Sequence, residues 1–99
     1  MTTLGKTIHV EGQSFDISDV IMQLSEEHDG DLRKMSEAIE QRGDESYRLQ
    51  VELYTYAVFE QGAKPKDLTW LSCIIGGNAM SHVAVAASKH RRKALVGVL

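Results

Sequence analysis

One cysteine, one proline, one tryptophan, two phenylalanines and three tyrosines are all that this 99-residue chain contains of the residues that build disulfide scaffolds, rigid linkers and aromatic platforms. The single Cys73 cannot close an internal disulfide, and no Cys or His stands near it at metal-ligand spacing. A reducing, cytoplasmic setting is therefore expected. Pro65 is the only proline and the glycines are scattered, with no repeat, low-complexity tract or linker, so residues 1–99 are expected to form a single domain. The opening MTTLGKTIHVEGQSF lacks the charged start and long apolar centre of an export signal.

Other absences bear on chemistry. His9, His28, His82 and His90 show no HxH or HExxH spacing, so no metal site is expected. Gly76-Gly77 alone is not a phosphate-cradling loop, and no cofactor is implied. Glu26, Glu27, Asp29 and Asp31 match a calcium loop in composition only, because the alternating ligands and the closing Glu are missing. On an unbroken helix Cys73 and His82 would lie about 13 Å apart along the axis, too far for a nucleophile and its base. Cys73 lies in an apolar run, where a small buried hydrophobe is its expected role. The chain is not expected to be an enzyme.

What is present is enough for one modest core: 42% of residues are hydrophobic and 25% charged. In KTIHVEGQSFDIS, Ile8 and Val10 alternate with polar neighbours, the chain turns at Glu11-Gly12-Gln13, and Phe15 and Ile17 resume the pattern. A β-hairpin over 7–17 follows, which must lay its apolar face on helices. Asp16 or Ser18 is placed to cap a helix carrying Ile21 and Leu24. Leu32, Met35 and Ile39 continue the pattern to Gly43, so 18–42 is one helix or two broken near Gly30. The segment SYRLQVELYTYAVFEQG satisfies strand and helix periods alike; its length without a turn signal predicts a helix over 44–61. Residues 65–93, with Pro65 in the first turn and Leu68, Leu71, Ile74 and Ile75 on the core face, form one helix or two kinked at Gly76-Gly77. Continuity or a mild kink is the favoured form, with the glycines explained by close packing against another backbone. The fold class is mostly α (α+β), a short N-terminal β-hairpin packed on three to four helices.

The charge is uneven. Residues 1–60 hold thirteen carboxylates against five Lys or Arg, and residues 61–99 hold one against six, within a net charge of −3. Residues 68–87 superficially resemble a membrane span with a basic anchor. However, Trp70, Ser72, Asn78, Ser81 and His82 would need partners in hydrocarbon, so a core helix and no membrane are expected.

A small, helical, charge-polarised chain without a catalytic constellation reads as a binding protein: an adaptor, an assembly factor or a phage-type inhibitor of a host machine. The partner is expected to be another protein, or a second copy in a homo-oligomer. Arg91 and Arg92, flanked by Lys89 and Lys93, would grip carboxylates, since a guanidinium can make two parallel hydrogen bonds. Glu26, Glu27, Asp29, Asp31, Asp44 and Glu45 would form the acidic counterpart, and Cys73, Gly76, Gly77 and Ser81 a small-residue face for self-association. Two alternatives stand beside this reading. Residues 68–93 have the outline of a helix-turn-helix, but their basic cluster sits at the wrong end of the recognition helix and the chain is acidic overall. An oligomeric binder of a small anionic nucleotide would need Arg91 and Arg92 beside Tyr47, Tyr54 or Trp70.

Overall fold

A computed structural model describes the backbone of residues 5–10 and 12–98 and the side chains of residues 5–10 and 12–89. The chain runs β1 (Lys6–Val10), β2 (Gln13–Ile17), α1 (Asp19–Glu27), α2 (Leu32–Glu40), a 3-10 turn (Gly43–Glu45), α3 (Ser46–Phe59), a second 3-10 turn (Pro65–Leu68), α4 (Thr69–Ile75) and α5 (Gly77–Val98). It is mostly α, with an antiparallel hairpin at its start. In the hairpin, Ile8 faces Phe15, Val10 faces Gln13 and Lys6 faces Ile17. The alternation that predicted the strands now sorts the two faces. Ile17 and Val10 are buried, while on the other face Thr7 donates to Asp16 at 2.8 Å and His9 pairs with Ser14 at 3.1 Å.

Helix α3 is the centre of the molecule. Leu49, Gln50, Leu53, Tyr54, Thr55, Tyr56, Ala57 and Val58 are all buried, because α1, α2, α4, α5 and β2 pack around it. A helix covered on most sides has no single apolar stripe, which is why its sequence satisfies two periods at once. Ile17, Ile21, Leu24, Met35, Ile39, Leu71, Ile75 and Val83 close on it to form one core. Each such side chain contributes about 1.5–3 kcal/mol when fully buried.

Polar groups seal the seams of this core. Gln50 on α3 is 0% exposed; it accepts the Ser36 hydroxyl at 2.9 Å and returns its amide N–H to the Ser36 carbonyl at 3.0 Å. This two-way clamp fastens α2 to α3. Glu52 does the same for α1: its Oε1 accepts the Ser18 backbone N–H at 2.7 Å, while Oε2 takes the Arg48 guanidinium. The Ser18 side chain makes no cap hydrogen bond: Glu52 instead holds the Ser18 N–H from another helix, and the Ser18 hydroxyl is buried without a partner among the described residues.

Two chain breaks shape the rest. Between α1 and α2, Asp29 and Gly30 adopt φ of 53° and 74°, and Asp31 caps α2 by accepting from the Arg33 and Lys34 N–H groups at 3.1 and 3.2 Å. The two-helix form of 18–42 is the one adopted. The second break corrects the favoured reading of 65–93. The helix does not continue through the glycines, because Gly76 stands at φ 87°, ψ 156°, a region open essentially to glycine alone. Close packing is not the cause either: no atom lies within 4 Å of where a Cβ would stand on Gly76 or Gly77. Of the expected core face, Leu68, Leu71 and Ile75 are buried but Ile74 is 37% exposed.

Candidate partner-binding cleft

Helix α5 begins at Gly77, directly after the break, and its first three turns separate two kinds of residue. Val83, Ala86 and Ala87 are buried against the body. Asn78, Ser81, His82, Val85 and Lys89 recur at three- and four-residue intervals on the exposed side, so they share a face. The tip of the hairpin stands beside this face: Val10 and Gln13, paired across the strands, join Asn78, Ser81, His82, Val85, Ala86 and Lys89 around an open cleft of about 380 Å³.

His82 is held there by an aromatic chain. Its ring lies 5.5 Å from that of Phe15, which lies 5.7 Å from that of Phe59. The imidazole is therefore docked on the hairpin. Among the described residues, the side chains of Gln13, Asn78, Ser81, His82 and Lys89 make no hydrogen bond or ion pair. Between them Val85 is 56% exposed. The cleft thus offers amide, hydroxyl, imidazole and ammonium groups around an apolar floor, and Lys89 is its only permanent charge among the described lining residues.

The residues singled out from sequence fall in different places. Lys89 and Ser81 line the cleft. Arg91, Arg92 and Lys93 lie further along α5, and their side chains fall outside the described residues. Cys73, Gly76 and Gly77 are outside the cleft, and Cys73 is exposed rather than the buried hydrophobe expected of it. The break at Gly76 leaves room for that, because α4 need bury only the side bearing Leu71 and Ile75. The acidic residues divide into two groups. Glu26, Glu27, Asp29 and Asp31 gather at the turn before α2, whereas Asp44 and Glu45 follow its far end, a nine-residue helix or about 14 Å away. Asp31 is occupied as a helix cap, and Glu45 faces Arg42 at 4.0 Å and Arg48 at 3.7 Å. Glu26, Glu27, Asp29 and Asp44 make no ion pair among the described residues.

The aromatic residues named for a nucleotide site are engaged within the fold. Tyr54 is buried in the core, the Arg33 guanidinium lies 4.6 Å over the Trp70 ring, and the Tyr47 hydroxyl donates to the Ile75 carbonyl at 3.0 Å. Among the described residues no three His, Cys, Asp or Glu are grouped to hold a metal ion, and no helix is long and apolar enough to cross a membrane.

Sequence reasoning passed over Gln13, Asn78, His82 and Val85 as one site. Their helical spacing on α5 was available as a signal. The wall provided by the hairpin was not, since it depends on how residues 10–13 and 78–89 pack together. No protein-family model, curated protein or solved structure matches the chain.

Proposed function

We propose that this chain is a non-enzymatic protein-binding protein, an adaptor, assembly factor or inhibitor, that holds an acidic partner along the exposed face of α5. One observation carries the reading: the side chains of Gln13, Asn78, Ser81, His82 and Lys89, which make no hydrogen bond or ion pair among the described residues, surround the half-exposed Val85. An apolar centre ringed by groups able to hydrogen-bond is how protein interfaces are built. The sign of the partner comes from Lys89 and from the His90, Arg91, Arg92 and Lys93 that follow it on the same helix. A second copy is one candidate, since Glu26, Glu27 and Asp29 are exposed and carry no ion pair among the described residues. The exposed thiol of Cys73 supports a reducing, cytoplasmic setting.

The test is capture from an extract of the native host with the tagged chain, beside a Val85→Asp variant and an Arg91→Glu/Arg92→Glu double variant. A protein retained by the unmodified chain and lost by both variants, with unchanged melting curves, is the expected result. Equal retention by all three would overturn the reading.

One observation favours a second reading. The break at Gly76 makes α4 and α5 consecutive helices and exposes Asn78, Ser81 and His82 on the first turns of α5, where recognition helices meet base edges. A one-residue link is shorter than the three- or four-residue turn of such motifs, and the chain carries a net charge of −3. This reading predicts duplex affinity that falls steeply as salt rises.

A further inference from the structure

We infer that the cleft takes a short extended segment of its partner in which an apolar side chain and a carboxylate stand two residues apart. The inference rests on the protein-binding reading above and names the chemistry that the site would select.

The lining is ordered along α5. Asn78 and Ser81 form a neutral polar end, Val85 and Ala86 an apolar middle and Lys89 the cationic end, and Val10 and Gln13 of the hairpin complete the lining. From Asn78 to Lys89 the helix rises eleven residues, about 16 Å. The cleft is open and its 380 Å³ admits a few side chains rather than a whole element, so what it selects is the spacing of the side chains set into it. An extended chain spans the same distance in about five residues at about 3.3 Å each, and turns only alternate side chains to one face.

The spacing of that alternation matches the cleft. Val85 and Lys89 are four residues apart on α5, about 6 Å along its axis, and residues i and i+2 of an extended segment are separated by nearly the same distance. A side chain seated over Val85 therefore has its neighbour two positions away beside Lys89. Val10, Val85 and Ala86 suit an aliphatic group, and an ammonium next to them suits a carboxylate. The unpaired amides of Gln13 and Asn78 remain to hold the peptide backbone. A nucleic-acid strand would bring repeated phosphates and no aliphatic anchor, leaving Val85 uncovered.

The experiment titrates the full chain with four synthetic, acetylated and amidated peptides while NMR follows the protein. The parent is Gly-Ser-Leu-Ser-Asp-Ser-Gly; in the others Leu is replaced by Ser, Asp is replaced by Asn, or the Ser between Leu and Asp is removed. The expected result is that the parent shifts the Val85 and Ala86 methyl and His82 ring signals, and that the three controls bind about tenfold more weakly or less. Lys89→Glu should abolish the preference for Asp over Asn. Equal binding of all four peptides, shifts confined to other surfaces, or displacement of the parent by a DNA duplex would overturn the inference. The outcomes separate it from the broader reading. A host partner lost on Val85→Asp, with no binding of the parent peptide, sinks the inference alone; a partner retained on Val85→Asp sinks both.

Discussion

The seam between α2 and α3 and the outer face of α5 are both polar, and they handle polarity in opposite ways. At the seam Ser36 and Gln50 exchange two hydrogen bonds in the dry interior, and at the start of α1 Glu52 gives its two oxygens to two different partners. On α5, Asn78, Ser81, His82 and Lys89 are as capable of bonding and make no hydrogen bond or ion pair among the described residues. A buried polar group must be paired because desolvation without compensation costs about 1–3 kcal/mol. An exposed one is paired by water and imposes no such demand. Position therefore sorts the same residue types into those that build the fold and those free to meet something else.

The largest expected effect comes from breaking the seam. Gln50→Ala removes a fully buried side chain and leaves the Ser36 hydroxyl without its acceptor, so unfolding by urea should show a loss of about 3 kcal/mol. The adjacent glycines sharpen the contrast at intermediate size. Gly76→Ala forces an L-residue into φ 87° and should cost about 2 kcal/mol. Gly77→Ala, with open space around its Cβ and a helical backbone, should be neutral or gain up to about 1 kcal/mol. Thermal melts of the two single variants decide this; equal effects would mean that the break is not set by the backbone of Gly76. The smallest effect belongs to the α5 face: an Asn78→Ala/Ser81→Ala variant should stay within about 0.5 kcal/mol of the unmodified chain while capturing less partner. A larger loss of stability would show that these side chains belong to the fold, as Gln50 does.

Sequence disclosed what was local. Alternating Ile8, Val10, Phe15 and Ile17 marked the hairpin, and Gly30 marked where the helical pattern of 18–42 could break in two. It disclosed less where an element's role depends on its neighbours. The period of α3 was ambiguous because five elements surround it. Glu52 reads on paper as a surface charge, yet it holds the backbone N–H of Ser18, thirty-four residues earlier. The glycine pair was legible as a point of tension, but only the backbone angles show that Gly76 is there for its conformation and not to admit a neighbour. For the cleft, the spacing on α5 was in view and the hairpin wall was not.

The central place of α3 also bears on how the chain is made. Every element before it in the sequence, from β1 to α2, precedes the helix that covers Ile17, Ile21, Leu24, Met35 and Ile39. Synthesis proceeds from the N-terminus, so a nascent chain ending near residue 45 carries five of the core's apolar side chains without the central helix on which they close. The hairpin and the first two helices must wait on the ribosome for residues 46–59 before Ser18 finds Glu52 or Ser36 finds Gln50. A message truncated in that interval would yield a product that cannot bury its own core and would fall to proteolysis.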